Sequence, residues 1–448
     1  MPRIASLFVC IVALIIIFST ADWKKDGEII NHDVKHYYAY LPALFIHKDI
    51  KIQYSTYYDK KETYYYWTEP GPNDSRVFKT SCGVAYLYAP FFFAADFYAN
   101  FFQTTYLKNG YSAPYKLALQ LAAVVYLFIG LFFLEKILKR LNFSSHTITV
   151  TLLLIGLGTN LLCYSSFNGP LSHVFSFALF SLFTYLSMLW YDKPNLKYSI
   201  FIGLTLGLIA LIRPTNIIVG LIFLLYGVNS LSDFISRIKF LFSKPMLLIT
   251  MLISFMPWWI PQFIYWKYVT GFWLYYPYGE EGFFWLHPKF YHGLVGFRKG
   301  WLIYTPLMVL AVVGLFLMKK RVASLSVSLP LFTFINMYIM FSWWCWWYGG
   351  SYGMRPMIDS YALLAIPFAI TTEKILSSAL WKKIVLLLCG LFFIWLNIFQ
   401  TFQYRAQVLH YDSMNQRLYF KQFGKMERVP DFWENISPPD YEKARKTR

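Results

Sequence analysis

The sequence predicts an all-α polytopic membrane protein. Hydrophobic residues make up 57% of its 448 residues and charged residues only 14%, whereas a soluble domain usually carries about 25% charged residues. Apolar stretches of about 20 residues, the length needed to cross a bilayer, recur along the chain. The formal net charge of +18 is better explained by basic loops between membrane spans than by nucleic-acid binding.

The first apolar stretch, residues 4–20, is just long enough to span a membrane. It could also be a signal peptide, because Ser19 and Ala21 are small residues of the kind found at cleavage sites. We favour an uncleaved anchor, because many more apolar stretches follow.

The rest of the chain adds about ten further spans, which gives about eleven in total. Eight single spans are predicted at 114–135, 147–163, 172–191, 246–266, 301–318, 324–342, 358–373 and 384–402. The long run 200–228 is interrupted by RPTN (213–216). Because Pro214 breaks a helix and Arg213 is costly in lipid, we expect two short helices that meet there on the outer side.

The basic residues predict the orientation of these spans. With the N-terminus in the cytoplasm, every predicted cytoplasmic loop carries Lys or Arg, as the positive-inside rule requires. The long segments 21–113 and 267–300 then lie outside. The spans form a transmembrane domain, 1–402, followed by a short tail, 403–448. Because the number of spans is odd and the N-terminus is cytoplasmic, this tail is extracytoplasmic. The predicted location is the cytoplasmic (inner) membrane.

The segment 83–102 is apolar enough to span, but it does not fit this orientation. Counting it as a span would reverse every later loop, and Pro90 and Asp96 interrupt it. We therefore expect a pair of amphipathic helices that lies on the outer leaflet.

A cluster of polar and aromatic residues follows the first span, in NHDVKHYYAYLP (31–42). In a helix, Asp33 would share a face with His36, Tyr37 and Tyr40. A carboxylate at the water boundary can act as a general base, and tyrosines can hold a sugar ring and bond its hydroxyls. Tyrosines are also common at membrane interfaces, but the acid among them favours a functional site.

Five segments, in order along the chain, resemble the GT-C superfamily. They are DVKHYYAYLPALF (33–45), FKTSCGVAYLYAPFFF (78–93), GLTLGLIALIRPTNIIV (203–219), FRKGWLIYTPLMVLAVVGL (297–315) and WWCWWYGGSYGMRPMI (343–358). This superfamily contains polytopic glycosyltransferases that use polyprenyl-phosphate sugars, among them protein O-mannosyltransferases and the lipid A aminoarabinose transferase. The resemblance implies a GT-C-like bundle with outer juxtamembrane helices, and it matches Asp33 to the family's first-loop acid, the proposed catalytic base.

The chain departs from the superfamily in two respects. Members often have two adjacent acids or a second acidic site in a later loop, and no clear equivalent is found here. The Lys-Pro-Pro pattern of several members is also absent, and only Lys79 remains of it.

A lipid-linked phosphate donor would require cations at the outer membrane boundary. The candidates, all on the predicted outer side, are Lys79, Arg213, Arg298, Lys299 and Arg355. Arg213 and Arg355 lie beside Pro or Gly, where a backbone bend can open a cavity. Arg298 and Lys299 could equally be solvated loop charges.

Two further segments supply candidate substrate-binding residues. SWWCWWYGGSYGMRP (342–356) contains Trp346, Trp347 and Tyr352, which could anchor the chain at the interface or provide a stacking platform for a sugar. His173 begins a predicted helix, where it could donate to a phosphate or acceptor, or simply cap and orient.

The sequence contains no nucleotide-binding or zinc-protease motif and no CxxC. Cys82 and Cys345 are the one pair that could form a disulfide on the outer side. We therefore expect a glycosyltransferase whose donor is a lipid-linked sugar and whose acceptor is a glycan, lipid or protein. No metal or other cofactor is required, because the leaving group is already a phosphate. Some relatives use a divalent metal, but the sequence shows no clustered acids to hold one. The alternatives are a lipid or oligosaccharide transporter, an O-antigen-type polymerase or ligase, and an inactive scaffold.

Overall fold

The computed structural model describes residues 1–53, 69–102 and 105–446. Helices dominate these residues, and the only strands among them are two short antiparallel ones, β1 (Glu69–Pro70) and β2 (Arg76–Val77). The helices of the first half are α1 Pro2–Thr20, α2 His32–Tyr38, α3 Tyr40–Phe45, α4 Gly83–Phe101, α5 Ala113–Arg140, α6 Ser145–Leu157, α7 Ser172–Asp192, α8 Leu196–Ile212 and α9 Gly220–Leu224.

The second half is also helical. Its α-helices are α10 Leu231–Phe242, α11 Pro245–Phe255, α12 Trp259–Thr270, α13 Phe290–Val295, α14 Trp301–Tyr304, α15 Val309–Arg321, α16 Ser328–Ser342, α17 Tyr361–Leu376, α18 Leu380–Arg405, α19 Gln416–Gln422, α20 Phe432–Asn435 and α21 Tyr441–Lys446. Short 3-10 turns link several of them, including Pro214–Val219 after α8 and Arg355–Ser360 before α17.

The predicted all-α membrane class is confirmed at this level. Five described helical segments are long and apolar enough to cross a membrane, namely Pro2–Thr20, Ala113–Arg140, Ser172–Asp192, Ala323–Ser342 and Leu380–Arg405. The pair α10 and α11, bent by 79° at its break, would make a sixth. The figure of about eleven spans therefore stays a prediction.

Exposed apolar stripes support a lipid environment. On α1, Ile4, Phe8, Ile11 and Ile15 are each at least half exposed, and their spacing places them on one face of the helix. The face of α18 that carries Leu387, Leu388 and Leu391 is similarly exposed. Contiguous apolar surface of this kind is rare on soluble proteins and typical of a membrane interface.

Prolines explain where the structure departs from the predicted helix boundaries. The predicted helix pair at 83–102 is wrong, because α4 is one helix that continues through Pro90. Conversely, the predicted span 246–266 is split between α11 and α12 next to Pro257, and 301–318 is split at Pro306. Loss of the proline N–H removes one helical hydrogen bond, and the neighbouring packing decides whether the helix survives.

The predicted break at Arg213 is confirmed. Helix α8 ends at Ile212, Arg213 is extended, and a 3-10 turn over Pro214–Val219 leads into α9. The break places Arg213 in extended backbone between two helical segments, where its side chain pairs with Asp359.

Charged residues collect at the two ends of the bundle. At one end, Glu135 pairs with Arg3 and Lys139, and Arg321 pairs with Glu373. The starts of α7 and α17 and the end of α8 lie at the opposite end, where antiparallel packing brings the residues around His173, Arg213 and Arg355 together.

The C-terminal segment packs against the bundle. Helix α18 continues to Arg405, and this arginine binds Asp22 through two hydrogen bonds of 2.9 and 2.6 Å. Beyond it, Leu409, Leu418 and Phe432 are buried in the main hydrophobic core. All five cysteines of the chain are free, so the suggested pairing of Cys82 with Cys345 does not occur.

Close packing of α15 against α17 provides a test of the fold. A Cβ at Gly314 would overlap the backbone carbonyl of Pro367. We expect Gly314→Ala to lower the free energy of unfolding by about 1–3 kcal/mol, the usual range for overpacking, seen as a lower thermal midpoint of the purified protein. Gly282→Ala is the control, because a Cβ at Gly282 meets nothing within 4 Å. Equal midpoints for the two variants would contradict the packing.

Candidate functional site

Asp33 and Arg355 form an ion pair at one end of the bundle. Asp33 lies in the first turn of α2, where the helix dipole favours an acid. Arg355 begins the 3-10 turn before α17. Arg355 Nη2 donates to Asp33 Oδ2 over 2.7 Å, although the residues are 322 positions apart. The Asp33 side chain remains 42% exposed while that of Arg355 is 15% exposed, so a ligand could reach the carboxylate.

The pairing with Arg355 and the burial of His36 determine which of the two α2 side chains, Asp33 and His36, is charged. Burial acts to raise the pKa of Asp33, but the Arg355 guanidinium outweighs it and holds that pKa below the ordinary value. Burial lowers the pKa of His36 to about 4, against the opposing effect of Asp33. At neutral pH, Asp33 is therefore ionised and His36 is neutral. His36 Nδ1 accepts a hydrogen bond of 3.3 Å from the Lys79 backbone N–H, which fixes the imidazole.

A second carboxylate, Asp359, organises the neighbouring polar residues. It is buried, and its two oxygens lie 2.7 Å from His173 Nδ1 and 2.9 Å from Asn216 Nδ2, which donates. Arg213 Nη1 donates to the same carboxylate over 3.4 Å. His173 and Asn216 therefore hold the carboxylate of Asp359 in place.

Asp359 and Asn216 were missed by the sequence analysis. Asp359 comes four residues after Arg355, inside the predicted span 358–373. An acid within an apolar span is costly unless it is paired, and this signal could have identified it as a partner for Arg213. Asn216 is the last residue of the RPTN break, and its neighbours gave no separate signal.

Tyr37 lies between the two ion pairs. Its buried hydroxyl donates to Ser172 Oγ over 3.4 Å. Burial raises its pKa, Asp33 raises it further, and Arg213 and Arg355 oppose this. The hydroxyl is thus within electrostatic range of three predicted site residues. Asp33, Tyr37, His173, Arg213 and Arg355 therefore lie together in one cluster.

Lys79 lies beside this cluster, but its positive charge is already paired with two carboxylates. Its Nζ is 2.5 Å from Glu281 Oε1 and 3.3 Å from Glu69 Oε1. Burial lowers the pKa of Lys79, but the Glu281 carboxylate overcomes this and the net shift is upward. Glu281 was another residue that the sequence analysis missed. A phosphate would have to displace a carboxylate to bind Lys79.

Arg298 and Lys299 make their hydrogen bonds elsewhere. The Lys299 ammonium donates to the backbone carbonyls of Ser351 and Tyr411, and Arg298 donates to that of Asp412. Burial lowers the pKa of Lys299 well below its ordinary value. The pair fastens the C-terminal segment to the loop before Arg355.

The remaining predicted substrate-binding residues divide into two groups. Tyr40 and Tyr352 are buried: Tyr40 donates to the Thr80 carbonyl over 2.7 Å, and the Tyr352 hydroxyl bonds Asn397 and Gln400. These contacts give both tyrosines a structural role. Trp346 and Trp347 line a surface cleft together with Lys289 and Arg298.

Among the described residues, no three His, Cys, Asp or Glu side chains come close enough to hold a metal ion. The charged groups of the cluster are instead two carboxylates, each with its own arginine.

A scan against protein families found no match, and a search of curated proteins found no significant similarity.

We expect the protein to be less stable when the negative charge of Asp359 is removed. Asp359→Asn would leave Arg213 largely desolvated without a partner, and we expect a loss of roughly 3 kcal/mol in the free energy of unfolding. The measurement is the thermal midpoint of the purified protein. Asp74→Asn makes the same change at an exposed position and should have little effect. If Asp359→Asn were as stable as Asp74→Asn, Asp359 would not balance Arg213.

Proposed function

We propose that this protein is a glycosyltransferase that transfers a sugar from a polyprenyl-phosphate donor to an acceptor on the outer face of the membrane. The observation that carries the proposal is the Asp33–Arg355 pair, with Arg213 nearby, at one end of a helical bundle. The pair joins an accessible carboxylate to one arginine, and the second arginine, Arg213, is bound to Asp359. General-base attack and a departing phosphate need groups of these two kinds.

The proposed reaction proceeds with inversion at the anomeric carbon. Asp33 accepts the proton of an acceptor hydroxyl as its oxygen forms a bond to the anomeric carbon. The bond between that carbon and the phosphate oxygen breaks, and the polyprenyl phosphate leaves with the electron pair. Arg355 and Arg213 offer planar guanidinium groups suited to two hydrogen bonds to the phosphate. The resemblance to the GT-C superfamily supports the same assignment.

The proposed orientation has the N-terminus in the cytoplasm and the C-terminus outside, with about eleven spans. It is supported by the separation of the charged residues. The Arg3 and Arg321 pairs lie at the ends of helices opposite to those that carry the Asp33 cluster. The cluster would then lie at the outer boundary of the cytoplasmic membrane.

The first test is consumption of a labelled polyprenyl-phosphate sugar by membranes that contain the protein. Asp33→Asn removes the base but keeps the shape, so we expect the rate to fall by about 10²–10⁴-fold. Asp26→Asn, an exposed acid in the same outer segment, should leave the rate unchanged. Both variants must be as abundant as the wild type.

Equal consumption by the wild type and Asp33→Asn would show that Asp33 is not the base. If no wild-type activity were found with several donor sugars, the transporter or scaffold alternative would replace the transferase.

A second test is the dependence of the rate on pH. Arg355 keeps the pKa of Asp33 low, and burial acts in the opposite direction. In Arg355→Gln the largest of the effects that lower the pKa of Asp33 would be lost, so that pKa should rise. The acidic limb of the rate profile should therefore move to higher pH, in addition to a lower maximum rate. Arg417→Gln, an exposed arginine on α19, should keep the wild-type profile. An unmoved acidic limb in Arg355→Gln would show that Asp33 does not control it.

A further inference from the structure

Helix α10 (Leu231–Phe242) carries an exposed apolar stripe along one face. Leu231, Ile235 and Phe242 are 75%, 48% and 72% exposed. Together with Ile238 they recur at steps of three and four residues, which places them in one row along the helix. This face of α10 therefore presents apolar surface to the surroundings of the protein, and we call it the α10 stripe.

Another face of α10 holds the helix against the bundle. Arg237 donates to the backbone carbonyl of Tyr226, and its guanidinium carbon lies 4.0 Å from the centroid of the Tyr191 ring. The ring of Phe240 also packs near that of Tyr191, and Leu241 is buried. These contacts hold α10 in one orientation, with the α10 stripe turned away from the bundle.

The length of α10 and its angle to the neighbouring helices favour a position along a membrane surface. Its 12 residues extend about 18 Å, which is less than the hydrocarbon core of about 30 Å. The next helix, α11, is bent from it by 79°. A Cβ at Gly203 of α8 would meet the Met251 carbonyl of α11. Four residues later, a Cβ at Gly207 would meet the Phe255 carbonyl. Helices α8 and α11 therefore run side by side in the same direction, and α10 lies across them.

Helix α10 lies at the end of the bundle opposite the Asp33 cluster. Helix α8 begins at Leu196 and ends next to Arg213, which belongs to that cluster. Because α11 runs parallel to α8, the start of α11 lies near the start of α8, and α10 comes directly before it. The proposed orientation places this end of the bundle in the cytoplasm.

Lysines border the α10 stripe. Lys239 is exposed and follows Ile235 by four residues, so the two are neighbours on the helix surface. Lys244 lies at the bend between α10 and α11, and the exposed Lys197 lies in the first turn of α8 at the same end. The one acid of α10, Asp233, accepts the Asn229 backbone N–H over 3.0 Å. Lysines beside apolar surface can extend to the headgroup region of a bilayer, where they attract anionic lipids.

The apolar surface of α11 identifies the occupant of the α10 stripe as lipid. Met246, Leu252 and Ile253 of α11 are 65%, 69% and 67% exposed, so exposed apolar surface continues beyond the bend. A bilayer would cover both helices at once, since α11 runs along the bundle and α10 across it. A protein bound to the α10 stripe would leave the exposed face of α11 to be covered separately.

We propose that α10 is an interfacial helix that binds anionic phospholipids. The α10 stripe inserts at the boundary between headgroups and acyl chains, and Lys197, Lys239 and Lys244 contact the anionic headgroups. The cytoplasmic leaflet is the one that the proposed orientation assigns to this helix. The binding itself does not depend on the proposed transferase function.

The first test is the depth of the α10 stripe, measured by electron paramagnetic resonance on the full-length protein in nanodiscs that contain phosphatidylglycerol. Cys389→Ser removes the one exposed cysteine of the chain, and a nitroxide is then attached at Ile235→Cys or Ser236→Cys. These adjacent positions lie on different faces of α10. We expect the label at position 235 to collide more with oxygen, which concentrates in lipid. The label at position 236 should collide more with a water-soluble nickel chelate.

The second test is the preference of α10 for anionic headgroups. A fluorophore at Ile235→Cys is quenched by brominated phosphatidylglycerol or, in a parallel sample, by brominated phosphatidylcholine. We expect stronger quenching by phosphatidylglycerol at the same lipid fraction. Lys239→Gln should lower this preference about fivefold, the effect expected for one lysine near an anionic surface. Lys425→Gln changes an exposed lysine of the C-terminal segment and should leave the preference unchanged.

Frequent nickel collisions at both labelled positions would show that the α10 stripe lies in water, and frequent oxygen collisions at both would show that α10 is half of a bent span. Either result would overturn the proposal. Shielding of position 235 from both reagents would also overturn it and would identify a protein occupant, such as a second copy of the chain. Equal quenching by the two lipids, or a preference that Lys239→Gln leaves intact, would contradict the binding of anionic headgroups. None of these measurements uses donor consumption, so their outcome is independent of the transferase proposal.

Discussion

The need to pair buried charges determines the arrangement of the whole candidate site. Arg213 and Arg355 lie where helices end inside a largely apolar bundle, and each would be strongly destabilising without a partner. Asp359 pairs with the first and Asp33 with the second. The four residues come from three distant parts of the chain, so these pairs hold α2, the end of α8 and the start of α17 together.

Broken helices make this pairing possible. The Arg213 N–H still donates to the Ile209 carbonyl as the last bond in the hydrogen-bond ladder of α8. Pro214 ends that ladder, and the extended Arg213 can then reach Asp359. A 3-10 turn has the same effect before α17, where it carries both Arg355 and Asp359. Irregular backbone is tolerated within a membrane where it lines a polar cavity. In this protein both arginines, Arg213 and Arg355, lie in such irregular backbone.

The sequence predicts this site only in part. The helical class and the break at Arg213 follow from local rules on apolar length and proline, and the choice of Asp33 as a candidate follows from its charge near an apolar span. The partners do not, because hydrophobic periodicity carries no information about which of several cations meets which acid. Lys79 and Lys299 illustrate the limit: both are cations on the same predicted side, yet one binds Glu281 and the other binds backbone carbonyls. Asp359 was overlooked because it lies inside an apolar stretch that was assigned as a span.

The ion pair between Asp33 and Arg355 also bears on how a base and an anion site could work together. In the unliganded protein, Arg355 lowers the basicity of Asp33 by holding its negative charge. A phosphate bound to Arg355 would compete for the same N–H donors and place a second negative charge nearby. Both effects would raise the pKa of Asp33, because a like charge disfavours its ionised form. On the proposed function, binding of the donor would thus make Asp33 a stronger base at the moment when an acceptor hydroxyl must lose its proton, and Asp33 would remain a weak base without it.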